Sequence, residues 1–135
     1  MLKRLLVILA IFTIFTVILS GCGKKEVPVT DDLQTIKDRG KLIVGVRDDT
    51  KPFGYRDKDG NLIGFDIELS KMIAAHLLGD PSKTDFVVVQ ADDRISKLNT
   101  KEVNILIATM TITQQRLRVV VFAESYFVAG QPVMV

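Results

Sequence analysis

Short apolar runs alternate along the chain with segments in which apolar residues recur every three or four positions. The runs predict buried strands, because a strand covered on both faces of a parallel sheet is apolar along its length. The recurring spacing predicts helices with one buried face. The predicted strands cover 42–46, 86–89, 103–108 and 119–122, and a further strand begins at 133–135. The predicted helices start near Asp32, at Asp66, and at Asp92 or Asp93.

Turn and cap residues fit this order of elements. Gly40 and Gly79 are expected to end the first two helices. Asp66 is expected to be the N-cap of the second helix rather than a ligand contact. The sequence DKDG at 57–60 predicts a small hairpin between two short apolar segments. Strands that alternate with helices in this way predict an α/β fold with a mostly parallel sheet and helices on both faces.

The beginning of the chain has the pattern of a signal peptide. Two basic residues are followed by an uncharged, mostly apolar run over 5–19, which is short for a transmembrane helix. The sequence LSGC at 19–22 resembles the lipobox of bacterial lipoproteins, in which the cysteine is lipidated and becomes the mature N-terminus. The resemblance implies a lipoprotein signal peptide over 1–21, acyl chains such as palmitate on Cys22, and a tether over 22–30. An ordinary signal peptide followed by an incidental cysteine is the alternative.

The charge of the chain gives no reason to expect a nucleic-acid partner. Two of the 18 Lys and Arg residues lie in the leader, which leaves as many basic residues as the 16 acidic ones. A mature chain without net charge has no long-range field toward nucleic acid or an anionic membrane. Cys22 is the only cysteine and His76 the only histidine, so neither has a sequence partner for a disulfide or a metal site. We expect residues 31–135 to form one domain without a metal or other cofactor.

The most informative polar segment follows the third long apolar run. Thr109, Met110 and Thr111 come directly after that run. Thr113 is a suitable N-cap for a short helix, and Arg116 lies in its first turn. Ligands of open α/β sheets bind outside the carboxyl ends of the strands, where hydroxyls, free N–H groups and a guanidinium suit a small carboxylate. The alternative is an ordinary strand-to-helix turn with a surface arginine.

The same segment, IATMTITQQR over 107–116, resembles the I-A-x-x-T-I-T-x-x-R motif of the bacterial extracellular solute-binding proteins, family 3. The resemblance continues, in the same order along the chain, at RGKLIVGV (39–46), PFGY (52–55), DGNLIGFD (59–66), RI (94–95) and GQPVMV (130–135). It implies a periplasmic-binding-protein-like (type II) lobe over 31–135, truncated before the second lobe. It also implies an extracytoplasmic, lipid-anchored protein that binds an amino acid for an ABC transporter permease in the membrane, with no catalytic residues and no enzyme activity.

The resemblance further implies roles for individual side chains. Thr109, Met110, Thr111 and Arg116 would hold the α-amino and α-carboxylate groups of the ligand. Arg47 would reach a side-chain carboxylate, as in family members that bind acidic amino acids.

Arg94 occupies a position at which the glutamate and aspartate binders also carry an arginine, and Phe53 would pack against the aliphatic part of the ligand. Each of these residues has a structural alternative: Arg47 solvated among the acids at 48–49, Arg94 paired with an acid at 92–93, and Phe53 in the core. Three arginines in one pocket would favour an anionic ligand, because their mutual repulsion needs more than one carboxylate to offset it. The sequence therefore predicts glutamate or aspartate as the ligand, ahead of glutamine.

Local departures from the family pattern leave two other interpretations open. Gln-Gln at 114–115 replaces the usual Pro-Glu, and Asn104 replaces a common Asp. The chain could be a fragment of a longer receptor or a remnant that does not bind. It could also be an enzyme on the same scaffold, whose general acid or base would have to come from Asp48, Asp49 or Asp93.

Overall fold

The structure, a computed structural model, describes residues 32–130. In chain order its elements are α1 (Asp32–Arg39), β1 (Leu42–Val46), β2 (Asp49–Thr50), β3 (Gly54–Arg56), β4 (Leu62–Ile63), α2 (Phe65–Leu78), β5 (Thr84–Val88), α3 (Arg94–Asn99), β6 (Ile105–Leu106) and a 3₁₀ helix (Arg116–Arg118). The predicted signal peptide, tether and lipidation site at Cys22 lie outside the described residues, as does the predicted strand at 133–135. Within the described range, no helix has the length and apolar character needed to cross a membrane.

The parallel sheet has β1 at its centre, between β5 and β6. Val44 stands opposite Phe86 on one side and Ile105 on the other. The side chains of Leu42, Val44 and Val46 are fully buried, and burial of each such side chain is worth roughly 1.5–3 kcal/mol. Helices α1 and α2 add Ile36, Ile67 and Ala74 to this core, and Ile107, just after β6, completes it. The predicted α/β class and the parallel central sheet are confirmed.

A second, antiparallel sheet is formed by β2, β3 and β4. The predicted hairpin is its β3–β4 pair. In the turn between them, the Asp57 carboxylate accepts hydrogen bonds from the backbone N–H groups of Asp59 at 2.9 Å and Asn61 at 2.8 Å. These bonds fix the turn, as aspartate side chains commonly do.

The predicted glycines end the first two helices. The backbone N–H of Gly40 donates to the carbonyl of Ile36, and that of Gly79 donates to the carbonyl of Ala75, each at 2.9 Å. Both glycines are in the left-handed conformation that a helix end of this type requires, with φ of +71° and +74°.

The start of α2 differs from the prediction, because Gly64 and not Asp66 is the N-cap. The N–H groups of the first two helical residues donate to backbone carbonyls outside the helix: Phe65 to Pro52 at 3.1 Å and Asp66 to Phe53 at 2.9 Å. The helix therefore needs no capping side chain, and the Asp66 side chain is buried instead. The loop that carries Phe53 is fixed to the helix by the same two bonds.

Two of the predicted strands differ in the structure. The strand expected over 103–108 is reduced to β6, although hydrogen bonds from Asn104 to Ile43 and from Ile107 to Gly45 extend its pairing with β1. The strand expected over 119–122 is wrong, since the chain there leaves the 3₁₀ helix without pairing to any strand within 32–130. Val121 is accordingly 96% exposed.

We expect Gly64→Ala to destabilise the protein by about 3 kcal/mol. Gly64 has φ of +128°, and a Cβ atom there would lie 2.1 Å from the Phe53 carbonyl oxygen. The cost combines the left-handed penalty of a non-glycine residue with overpacking against backbone that cannot move freely. Urea unfolding followed by far-UV circular dichroism measures the loss.

Gly79→Ala is the matched control for this prediction. Gly79 also has positive φ, but a Cβ atom there would meet nothing within 4 Å. Its loss should be only about 1–2 kcal/mol, the left-handed penalty alone. Equal losses in the two variants would show that the close approach of Gly64 to Phe53 does not matter.

Candidate functional site

The candidate site lies where the carboxyl ends of β1, β5 and β6 meet. Arg47 follows β1 directly, Arg94 begins α3 shortly after β5, and residues 109–116 follow β6. Burial is the largest cause of the lowered pKa of Arg94, and the positive charges of Arg116 and Arg47, the two other arginines that the sequence singled out, lower it further. Arg94 therefore lies near Arg47 and near Arg116, at an edge of the sheet where ligands commonly bind.

Arg94 is buried, with 6% of its surface exposed. Its Nη1 atom donates to the Ala108 carbonyl oxygen at 2.9 Å, and its Nε atom has no hydrogen-bond partner. Burial is the main cause of its lowered pKa. The alternative pairing with Asp92 or Asp93 is wrong, because Arg94 takes part in none of the ion pairs of the described residues. Asp93 instead accepts a hydrogen bond from the Gln90 N–H at 2.7 Å and pairs with Lys97 at 3.4 Å.

Arg47 forms a two-pronged ion pair with Asp49. Its Nε and Nη2 atoms donate to the two carboxylate oxygens at 2.9 and 2.6 Å. The hydrogen bond from Arg47 is the largest cause of the lowered pKa of Asp49, followed by the bond from Thr50. Asp48 instead accepts from Arg56 Nε at 3.1 Å. The charge of Arg47 is thus partly neutralised by its own loop.

Arg116 has neutral partners. Its Nη1 atom donates to the Thr111 carbonyl oxygen at 2.7 Å, and its backbone N–H donates to Thr113 Oγ1 at 3.3 Å. The N-cap of the 3₁₀ helix is Gln115 and not Thr113, which the sequence predicted, although the Thr113 hydroxyl does accept the N–H of the first helical residue. Within residues 32–130 no carboxylate forms an ion pair with Arg116 or with Arg94 (the ion pairs formed there are all between other residues).

The segment between β6 and the 3₁₀ helix turns sharply at Thr109. Its φ is +48°, which is unusual for any residue other than glycine and costly for a β-branched one. After this turn Met110 is half-buried and Thr111 is exposed. Such strain is concentrated at functional sites in proteins.

Phe53 belongs to an aromatic cluster. Its ring packs edge-on against Phe127, with centroids 4.8 Å apart, and against Phe65 at 6.4 Å. Phe65 in turn stacks on Tyr126 at 6.1 Å. Phe53 is half-buried, so its predicted contact with a ligand stays a prediction, as do the ligand roles of Thr109, Met110 and Thr111.

Sequence reasoning missed Asp66, which lies beside the candidate site. Its carboxylate oxygens are buried without a hydrogen bond of good geometry. Burial raises its pKa to about 6, while the nearby Tyr126 hydroxyl and Thr109 N–H act in the opposite direction. A signal was present, since Asp66 continues the stripe of Leu69, Ile73 and Leu77 on the packed face of α2.

Tyr126 shares this environment. Burial of its hydroxyl, together with the charge of Asp66, raises its pKa to about 12, so the hydroxyl is neutral at any physiological pH. The tyrosine therefore can donate a hydrogen bond toward the Asp66 carboxylate, and it joins the segment after the 3₁₀ helix to the start of α2.

The sequence of the chain matches a family of known proteins. The family profile of the bacterial extracellular solute-binding proteins, family 3, matches residues 42–135. The ABC transporter glutamine-binding protein GlnH of Bacillus subtilis is 39% identical over 136 residues, which cover 94% of this chain and 50% of GlnH. A glutamine-binding protein of Geobacillus stearothermophilus is 44% identical over 107 residues, covering 78% of this chain and 41% of the relative. The chain thus spans about half the length of these relatives or less.

Solved structures agree with the sequence relatives. The arginine-bound form of domain 1 from TmArgBP is similar with a TM-score of 0.64 and 42% identity, over 69% of this chain and 71% of that one. The predicted fold of the type II periplasmic binding proteins is confirmed. Because the family profile covers well over half of its residues, the chain belongs to the bacterial extracellular solute-binding proteins, family 3.

Proposed function

We propose that the protein binds a free amino acid outside the cytoplasm and presents it to the permease of an ABC transporter. The observation that carries the proposal is the pair of neighbouring arginines, Arg94 and Arg116, which have no carboxylate partner within the described residues. A guanidinium matches a carboxylate with two parallel hydrogen bonds. The α-carboxylate of an amino acid would supply the missing negative charge at Arg116.

The relatives support the class of ligand. Two of them are named glutamine-binding proteins. The isolated domain 1 of TmArgBP has been solved with arginine bound, so in that protein a single lobe is sufficient to hold the amino acid. We infer that residues 31–135 form the corresponding first lobe and carry one side of the ligand site.

The side chain of the ligand depends on Arg47. A free Arg47 would favour glutamate or aspartate, because it would offer a second guanidinium to a second carboxylate. Arg47 is instead engaged by both oxygens of Asp49. We therefore propose glutamine as the first candidate, which needs only one carboxylate-binding guanidinium, and glutamate or aspartate as the second.

The proposal for the location rests on the N-terminal sequence. We propose that residues 1–21 are a lipoprotein signal peptide, that Cys22 carries the lipid anchor, and that residues 22–30 tether the lobe to the membrane surface. More than one acyl chain makes such an anchor stable.

Arg116→Ala should weaken amino-acid binding by about tenfold to 100-fold, the value of a charge-assisted hydrogen bond lost to a carboxylate. Isothermal titration of the purified protein with glutamine and glutamate measures the effect. Arg118→Ala is the control, because Arg118 lies in the same 3₁₀ helix and is exposed. The role of Arg116 is refuted if the two variants bind alike and both remain folded.

Asp49→Asn should shift the preference toward glutamate by about threefold to fivefold relative to glutamine. The substitution releases Arg47 from a partly exposed ion pair, and pairs of this kind contribute little free energy because solvent screens them. Arg47→Ala should have the opposite effect and weaken glutamate more than glutamine. Competition titration with both amino acids measures the ratio.

Asp48→Asn is the matched control for this shift, since Asp48 pairs with Arg56 and not with Arg47. A glutamate-to-glutamine ratio that is the same in both asparagine variants would place Arg47 outside the ligand site.

Cys22→Ser should move the protein from the membrane fraction to the soluble fraction of its host, because serine cannot carry the thioether-linked lipid. Ser20→Ala, which keeps a small residue before the cysteine, should remain in the membrane fraction. Fractionation and immunoblotting measure the distribution. Retention of Cys22→Ser in the membrane would contradict the lipid anchor.

A further inference from the structure

Two buried, oppositely charged side chains face the two poles of one peptide group. The carbonyl oxygen of Ala108 accepts a hydrogen bond from Arg94 Nη1 at 2.9 Å. The N–H of Thr109, the other pole of the same peptide group, lies near enough to the buried Asp66 carboxylate to favour its charged form, although no hydrogen bond of good geometry joins the two groups. A peptide group carries a dipole of about 3.5 D, and here each pole faces the charge that attracts it.

Neither charge has a better partner. Arg94 and Asp66 are 6% and 0% exposed, and neither forms an ion pair with a side chain of the described residues. Buried charges are costly unless they are paired or hydrogen-bonded. Arg94 is compensated by its hydrogen bond to the Ala108 carbonyl oxygen. Asp66 forms no hydrogen bond of good geometry, and is stabilised in its charged form only by the nearby Thr109 N–H and Tyr126 hydroxyl.

The arrangement resists reversal of the peptide group. Rotation by half a turn would direct the Ala108 carbonyl at the Asp66 carboxylate and the Thr109 N–H at the Arg94 guanidinium. Both contacts would be repulsive. The two charges therefore select one orientation of this peptide group and with it the φ of +48° at Thr109, which a threonine would otherwise avoid.

We propose that Asp66 and Arg94 are positioning residues of the ligand site, which fix the orientation of the 108–109 peptide group and thereby aim residues 109–111 at the ligand. Their helices, α2 and α3, begin on separate parts of the chain, so the pair ties three segments together at one point. The ligand role of residues 109–111 rests on the proposed function. The orientation of the peptide group does not.

Asp66→Asn tests the inference, because it removes the charge and keeps the size of the side chain. We expect amino-acid affinity at pH 7.5 to fall by about fivefold to tenfold while the melting temperature does not fall. A residue with a merely structural role would lower the melting temperature instead. Asp85→Asn, which removes an exposed carboxylate paired with Lys41, is the control. It should change neither the amino-acid affinity nor the melting temperature.

The pH profile gives a second readout. The raised pKa of Asp66, about 6, lies above the unperturbed carboxyl value of 3.8, so the folded state binds this proton more tightly than the unfolded state. The contribution of Asp66 to stability therefore increases as pH falls from 7 to 4. Affinity should decrease over the same range in the wild type and not in Asp66→Asn. Tyr126, the titratable side chain that faces Asp66, stays neutral throughout.

The Thr109 amide reports on the peptide group without any ligand. Its nitrogen and proton chemical shifts should titrate with a midpoint near pH 6, the pKa of Asp66, and should be independent of pH in Asp66→Asn. A flat profile in the wild type, or unchanged affinity in Asp66→Asn, would overturn the inference. If the Thr109 amide shifts follow the titration of Asp66 but the protein binds no amino acid, the proposed function is overturned and the orientation of the peptide group remains supported.

Discussion

Strand β1 is the constraint on which the rest of the structure depends. It is hydrogen-bonded on both edges to parallel strands, and most of its side chains are fully buried, so the neighbouring elements must pack closely against it. Gly45 permits this, since a Cβ atom there would lie 2.5 Å from the Leu106 side chain. Because the strands run in the same direction, their carboxyl ends meet at one edge. The residues after each strand are brought together there, although Arg47 lies 47 positions before Arg94 and 69 before Arg116 in the sequence.

The charges at this edge are only partly compensated. Arg47 is partly neutralised by a neighbouring carboxylate, whereas Arg94 and Arg116 donate to the carbonyl oxygens of Ala108 and Thr111. A carbonyl oxygen orients a guanidinium but does not cancel its charge. The pKa of Arg94 is lowered mainly by burial and further by the charges of Arg116 and Arg47, and an anion beside these side chains would oppose both effects. The folded state thus sustains a local cost that ligand binding can recover.

The sequence predicts those parts of the fold that local signals determine. The apolar run of β1 and the glycines at 40 and 79 act through nearest neighbours along the chain, and each is where it was expected. The run at 119–122 has an equally apolar composition, but a strand also needs a neighbour to pair with, and periodicity carries no information on that. The burial of Asp66 likewise follows from a tertiary contact, because the carbonyls of residues 52–53 take over the capping role.

For the candidate site, the sequence predicted the charged residues but not the groups that they contact. The residue types and their positions after strands were sufficient to name the three arginines, since strand ends are a general place for ligands. Their partners were not predictable. Arg47 pairs with Asp49 and not with Asp48. Arg94 donates to a backbone carbonyl and not to Asp93. Both outcomes depend on differences of a few ångströms in loop geometry.

The main-chain cap of α2 has a consequence for how this region can vary. Capping by the carbonyls of Pro52 and Phe53 does not depend on any side chain at positions 65 and 66. Substitutions at these two positions can therefore accumulate without unwinding the first turn of the helix. The residue at position 66 therefore does not have to be a capping residue, and its carboxylate can take a different role. Gly64, in contrast, cannot be replaced without strain, because a Cβ atom there would collide with the Phe53 carbonyl oxygen.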